Sequence, residues 1–206
     1  RWMIAYLKGT RVFLDAFAGS SFPAVIIRPP VVIGPGDPTL RAYSYWLRLA
    51  DGGPLFLPNA NVSARYIFSK DLARAYELTV CAKDILGQAF NFGDSDVLSL
   101  DDFVKLSARI LHKEPEIIYP EHAWLKENGF NFEASPFSGA ADFITDIAKA
   151  GKAFGWRSAP LHQWLEETIN WFIFKYTGPA PKNYSLRKRE LELAESWKLR
   201  AAQGSR

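Results

Sequence analysis

The sequence predicts an α/β protein, and three observations carry that prediction. Short apolar runs without alternation, such as Ala24-Val25-Ile26-Ile27, read as strands of a parallel sheet covered on both faces. Longer stretches with apolar residues on a helical period lie between these runs. Glycine and proline clusters, above all Gly34-Pro35-Gly36-Asp37-Pro38, punctuate the joints with turn chemistry.

Taken in order, residues 2–18 read as a helix with Tyr6, Leu7, Phe13, Leu14 and Phe17 as its apolar residues, ended by Gly19-Ser20-Ser21. Residues 24–27 are expected to form a central strand, broken by Arg28-Pro29-Pro30. A second apolar run, Val31-Val32-Ile33, leads into the loop 34–38. Residues 39–50 carry a Tyr43, Trp46, Leu47 stripe and stop at Gly52-Gly53. Strands are predicted at 54–58 and 65–69, with Asp71 capping a helix over 72–83. A strand over 89–92 ends at Gly93. Ser99 with Asp102 three residues later forms a capping box for a helix over 100–112. A strand at 116–119, a short helix at 123–128 and a helix over 146–154 closed by Gly155 follow. Pro160 then opens a helix whose inner face holds Leu161, Trp164, Leu165, Ile169 and Phe172. The tail from Leu186 to Ala202 alternates charge around Leu191, Leu193, Trp197 and Leu199. It reads either as a helix that docks on a partner or as a solvated tail.

Composition narrows the function classes. Hydrophobic residues make up 48% and charged residues 23% of the 206, as in ordinary globular proteins. Aromatics reach 15%, so rings should dominate the core. A net charge of +3 is too weak to argue for nucleic acid, and the basic residues of the tail are interleaved with acids. No apolar run is long enough to span a membrane. The single Cys81 fits a reducing compartment, cytoplasm or an organelle matrix or stroma, and reads as a core residue rather than a nucleophile. His112, His122 and His162 lack metal-ligand spacing.

Four segments in order carry a resemblance. They are Val25-Ile26-Ile27-Arg28-Pro29-Pro30-Val31-Val32-Ile33-Gly34-Pro35-Gly36-Asp37, then Arg65-Tyr66-Ile67-Phe68-Ser69-Lys70-Asp71-Leu72-Ala73-Arg74-Ala75, then Gln88-Ala89-Phe90-Asn91-Phe92-Gly93, and last Asp146-Ile147-Ala148-Lys149-Ala150 through Phe154-Gly155-Trp156. Over residues 2–175 the chain resembles the extended short-chain dehydrogenase/reductase family, the NAD-dependent epimerase/dehydratase group, in its C-terminal portion. The resemblance implies a partial doubly wound, Rossmann-like parallel sheet with a smaller C-terminal substrate-binding α/β region. It divides the chain into residues 1–37 (end of the Rossmann-like half), 38–177 (substrate-binding and C-terminal region) and 178–206 (linker and charged tail).

It also implies roles. The family acts through a Tyr-x-x-x-Lys pair on the helix before this strand. The four-residue spacing puts both groups on one helix face. Tyr6 is the candidate acid/base, with Thr10 where the lysine is expected; taking Lys8 as that lysine instead puts Ile4 at the tyrosine position. Without a neighbouring cation a tyrosine titrates near its ordinary value of about 10 and is a poor base at neutral pH. Tyr6 as a core or interface aromatic stays open. Arg28 and Pro29 are candidates for cofactor contact, Arg28 alternatively for a structural ion pair. Gly34, Asp37 and Arg65 are candidates for substrate contact, since ligands of such sheets bind at the carboxyl ends of strands; Arg65 alternatively pairs with a carboxylate. NAD or NADP is expected in the parent protein and not for this chain alone, which holds no Gly-x-Gly-x-x-Gly or Gly-x-x-Gly-x-x-Gly. The half that holds the dinucleotide is expected before Arg1, so the partner is that N-terminal half or another chain, in a homo- or hetero-oligomer. The function implied is an NAD(P)-dependent epimerase/dehydratase or reductase acting on a small polar or nucleotide-linked substrate. The alternative is a non-catalytic structural or binding subunit of a larger assembly, with RNA binding ranked below it.

Overall fold

A computed structural model describes residues 10–18, 23–130, 137, 139 and 141–204. Residues 10–18 are helical (α1). The remaining elements are β1 (Ile26–Arg28), β2 (Val31–Ile33), α2 (Arg41–Asp51), β3 (Leu55–Phe56), β4 (Ser63–Ala64), β5 (Tyr66–Phe68), α3 (Ser69–Cys81), β6 (Ala89–Asn91), β7 (Leu98–Ser99), α4 (Leu100–Ile110), β8 (Ile117–Ile118), α5 (His122–Glu127), α6 (Ala148–Phe154), α7 (Leu161–Phe174), a 3-10 turn at Lys182–Leu186 and α8 (Arg187–Gly204). The class is α/β, as the sequence predicts.

Three strand pairs are parallel: β1 with β6, β2 with β5, and β3 with β8. The fourth, β4 with β7, is antiparallel. The chain leaving β6 ties the first two pairs together, because Phe92 N–H donates to the Arg28 carbonyl and Asp94 N–H to the Tyr66 carbonyl. Parallel strands need long crossovers, and helices supply them.

The helices cover the strands in three apolar clusters. The largest sits between α2, α4 and α7, where Tyr45, Trp46, Leu49, Phe103, Trp164, Leu165 and Phe172 are almost fully buried. Its rings interlock: Phe68 stacks on Trp164 at 5.8 Å and Tyr43 on Phe172 at 4.9 Å. Trp46 donates its indole N–H to Ser107 Oγ at 3.1 Å, so the buried polar end is satisfied. A second cluster joins β1, β2, β5 and β6 to α3 and α6 through Ile67, Phe90, Phe92, Ala150 and Trp156. The third joins β3 and β8 to α5 and α8 through Phe56, Trp124, Phe130 and Leu193.

Several local expectations change. β1 was expected to be central and covered on both sides, yet among the described residues it pairs with β6 alone and its residues are half-buried. Asp71 does not cap α3. It lies in the first turn, where its carboxylate accepts Ala159 N–H at 2.7 Å and meets Arg74 at 3.1 Å, so it fastens α3 to the chain entering α7. Cys81 is exposed at the last residue of α3 rather than in the core, because the helix ends there and its buried face is carried by Asp71, Ala75 and Thr79.

The tail folds back as a helix on its own chain. Leu193 and Ala194 are buried, and Trp197 meets the Trp124 ring edge-on at 4.7 Å. Below them lies a buried ionic cluster. Glu190 receives Arg48 Nε at 2.8 Å, Arg187 Nη1 at 3.0 Å and Phe56 N–H at 2.9 Å. Arg187 also forks onto Asp51 at 2.6 and 2.7 Å and donates to the Pro54 carbonyl. No helix among the described residues is long and apolar enough to cross a membrane.

Candidate functional site

The loop after β2 is built by its own residue types. Pro35 presets φ for the second position of a type II turn, and Gly36 supplies the positive φ, 78°, that the third position requires. Asp37 N–H closes the turn onto the Gly34 carbonyl at 3.1 Å. Gly34 is needed for a different reason: a Cβ there would lie 2.0 Å from Ser69 Oγ, so the turn packs directly against the start of α3. The Asp37 carboxylate then folds back. Thr39 donates its N–H to Oδ1 at 2.9 Å, and its hydroxyl lies 2.7 and 2.9 Å from the two carboxylate oxygens. Arg41 Nε donates to the same hydroxyl at 3.2 Å.

This loop forms one wall of a cleft of about 560 Å³ at the carboxyl end of β2, bounded also by Val32, Arg41, Ser69 and Phe143. Its charge is lopsided. Both Asp37 oxygens are engaged by Thr39, whereas Arg41 has no carboxylate partner among the described residues. The Arg41 guanidinium instead lies 5.1 Å over the Phe137 ring. The neighbouring Tyr66 is no base. Burial pushes its phenol well above the ordinary value, although the Arg41 charge pulls the other way.

The sequence-predicted residues separate. Gly34 and Asp37 line the cleft. Arg65 turns away into the backbone: Nε donates to the Thr145 carbonyl at 2.9 Å, and Nη1 donates to the carbonyls of Asp94 and Ser95. Its side chain crosses Gly93, where a Cβ would sit 2.7 Å from Arg65 Cδ. Arg28 ends β1 in register with Asn91, and its buried Nε has no hydrogen-bond partner among the described residues. Pro29 follows it, half-buried. Tyr6 lies outside the described residues. Thr10 is 8% exposed at the start of the described part of α1. Arg41, Ser69 and Phe143 are absent from the sequence-predicted set. Arg41 carried a weak signal, as a cation just after a Gly/Pro loop with no acid in the first turn of its helix.

A second polar node joins the chain leaving β6 to Ser158 and α7. Asp94 is 2% exposed and accepts Trp164 Nε1 at 2.6 Å, Ser158 Oγ at 3.0 Å and Asp96 N–H at 3.1 Å. Burial outweighs these bonds and holds its carboxyl above the usual range. Trp156 Nε1 donates to the Gly93 carbonyl at 2.8 Å. Among the described residues no cluster of His, Cys, Asp or Glu has the arrangement of a metal site.

Three solved structures share this architecture. UDP-glucuronic acid 4-epimerase from Bacillus cereus, in complex with UDP-glucuronic acid and NAD, superposes with a TM-score of 0.66 at 18% identity, over 82% of this chain and 51% of its own. RMD from Pseudomonas aeruginosa, complexed with NADPH, gives 0.64 at 17% over 82% and 54%. The dTDP-glucose 4,6-dehydratase of Bacillus anthracis, in complex with NAD, gives 0.64 at 18% over 80% and 49%. The chain has the epimerase and dehydratase fold. It spans about half the length of these structures. No protein-family model and no curated protein sequence matches it.

Among the described residues, the loop glycines after β2 have other roles than a dinucleotide cradle. Gly34 and Gly36 are committed to the turn and to Ser69, and the strand-to-helix step Phe68-Ser69 has no glycine through which a pyrophosphate could approach.

Proposed function

We propose that this chain is the substrate-side half of an NAD(P)-dependent epimerase, dehydratase or reductase, and that it takes a small polar or nucleotide-linked substrate in the cleft after β2. The observation that supports this most is the placement of Arg41. It is a cation without a carboxylate partner among the described residues, in a cleft at the carboxyl end of a parallel strand, where doubly wound folds bind ligands. The dinucleotide would be held by residues outside this chain. Within the cleft, Arg41 would orient an anionic group, the turn 34–37 would shape the floor, and Asp37 would hold the loop through Thr39.

Calorimetric titration with UDP-glucuronic acid tests this. The chain should bind it, and Arg41→Ala should weaken binding by about tenfold or more, the usual loss when one partner of a charge-assisted contact is removed. Binding that is absent, or indifferent to Arg41, would refute the reading.

One observation favours a second reading, a non-catalytic subunit. Thr10 is uncharged and buried where the resemblance asks for a lysine. In the protein carrying both halves, Tyr6→Phe should lower turnover by about 10²- to 10⁴-fold if Tyr6 is the acid/base. Absence of any NAD(P)-linked turnover, with ligand binding intact, would select the subunit instead. In either case we propose that the chain associates with a partner, since α1 and α3 expose large apolar side chains.

A further inference from the structure

Two bulky residues among those described hold a left-handed backbone. Leu40 has φ 53° and ψ 17°, and Phe137 has φ 68°. The other described non-glycine residues with positive φ are Asn59, Asp84 and His112, types that enter this region readily. For Leu and Phe the conformation carries a cost, and such costs persist where the surroundings over-determine the backbone, as they do at ligand sites. The two meet at one side chain. Leu40 stands directly before Arg41, which lines the cleft after β2, and the Arg41 guanidinium lies 5.1 Å over the Phe137 ring.

The guanidinium is held at two places. The Thr39 hydroxyl is engaged with the Asp37 carboxylate, at 2.7 and 2.9 Å, which leaves its lone pairs to accept Arg41 Nε–H at 3.2 Å. The Phe137 ring takes the face of the guanidinium. That ring is itself placed by others: Tyr66 edge-on at 5.7 Å, Phe103 edge-on at 6.1 Å and Tyr45 stacked at 6.4 Å. The stem is set by Leu40, whose carbonyl accepts Ser44 N–H at 3.1 Å in the first turn of α2. Nη1 and Nη2 are left without a hydrogen-bond or carboxylate partner among the described residues.

A cation held this way differs from a free surface charge. Fixing the plane of the fork beforehand removes rotamer freedom that an arriving anion would otherwise have to freeze. With Nε engaged, the open end is the Nη1–Nη2 edge, whose parallel N–H groups match the two oxygens of an anionic group.

We propose that Phe137 is a positioning residue of the cleft: its ring fixes the plane of the Arg41 guanidinium, with Thr39 holding Nε, so that the Nη1–Nη2 edge receives the anionic group of the ligand. This rests on the reading of the cleft that has Arg41 orient that group. Phe137 itself acts through Arg41 and pairs with no charge of the ligand.

A double-mutant cycle read by calorimetry with UDP-glucuronic acid tests this. Phe137→Leu should weaken binding by about fivefold or more, the usual size of a cation–π contact, and Phe137→Tyr, which keeps a ring, should restore it. In an Arg41→Ala background Phe137→Leu should cause no further loss. Arg41→Lys keeps the charge without the fork and should bind nearly as weakly as Arg41→Ala. A second readout needs no ligand. In side-chain NMR of the free chain the Arg41 Nε–H should be shifted by the ring current and protected from exchange. Thr39→Val, at an exposed position, should remove that protection, and Phe137→Leu the shift. If the wild-type resonance sits where an exposed arginine's does, the guanidinium is not held and the proposal fails. It fails too if Phe137→Leu binds as wild type does, or loses as much without Arg41 as with it; a loss in Arg41→Ala then leaves the reading of the cleft standing alone. A wild-type chain that shows the shifted resonance and binds no UDP-glucuronic acid overturns the reading of the cleft and the role of Phe137 with it.

Discussion

Single residues in this chain do work that their types alone do not reveal. Gly34 and Gly36 sit two apart and serve different ends, one a close approach and the other a backbone angle. Gly34→Ala should destabilise the fold by about 1–3 kcal/mol, the usual range for overpacking, because the added methyl meets Ser69 at both Oγ and Cβ. Gly36→Ala faces open space and should cost only the strain of a positive φ, about 1 kcal/mol. Urea unfolding of the two variants checks the order. Glu190 is the opposite case, a tail residue in a charge-alternating stretch that becomes a buried carboxylate with three partners. Glu190→Ala leaves Arg48 buried and unpaired and should cost about 3–5 kcal/mol, as broken buried ion pairs do. A loss under about 1 kcal/mol in the same assay would mean that water or Asp51 takes over the charge.

Elements were legible where the signal was local. The N-cap at Ser99 is present: Asp102 N–H donates to Ser99 Oγ at 3.0 Å, and the return bond of the pair runs from the Ser99 hydroxyl, not its N–H, to Asp102 Oδ2 at 2.6 Å. Pro160 stands at the N-cap of α7, and Gly155 ends α6 with a φ of 61°. The face of α7 from Trp164 to Phe172 is buried as its period requires. What could not be read depends on distant partners. Asp71 looks like a cap from its neighbours and is instead claimed by Ala159. Arg65 is a candidate ligand contact by its sequence position, and its Nε and Nη1 are held by carbonyls from two other segments. The tail reads either as a partner-docking helix or as solvated because its buried apolar face is narrow, among the described side chains Leu193 and Ala194 with part of Trp197, and its main anchor is ionic. That anchor has a pH signature. Burial raises the Asp51 carboxyl, but hydrogen bonds from Arg187, Gly53 N–H and Tyr184 outweigh it and leave the group below its ordinary value. A depressed carboxyl stabilises the fold above its unfolded pKa, about 3.9, and loses that contribution as pH falls through the folded value. Stability measured between pH 6 and 3 should therefore drop, and Asp51→Asn should flatten part of the drop. Asp94, raised by burial, works in the other direction: its contribution is lost as pH rises through its folded value. Asp94→Asn should therefore steepen the acid loss relative to wild type. Identical pH curves for wild type and both variants would show that neither carboxyl is shifted.

At the scale of the whole molecule the chain combines a closed core with an open face. Its three clusters bury rings on α2, α4, α5 and α7 and half-bury Phe154 of α6 and Trp197 of α8, whereas α3 has a small inner face and an outer face that carries Tyr76 at 53% and Val80 at 84% exposure. On α1, Val12 and Phe13 are likewise exposed, while Phe17 seats its ring against Gly87 beside the exposed Leu86. β1 adds an edge with one described neighbour, and Arg28 at its end has a buried Nε without a hydrogen-bond partner among the described residues. No phosphate-cradling glycine loop occurs anywhere in the 206 residues, so the chain alone should show no NADH fluorescence enhancement or calorimetric signal; micromolar binding would contradict this. An apolar face of this kind favours association, because soluble monomers rarely leave large apolar patches uncovered. Light scattering should find a mass that rises with concentration, or a stable complex once the complementary half is supplied. Val80→Lys and Phe13→Glu change exposed positions only, so they should shift the chain toward monomer with little change in melting temperature. A monodisperse wild-type monomer across the concentration range would show that this face is tolerated in water. The edge of β1 that is unpaired among the described residues would then need no partner to stay folded.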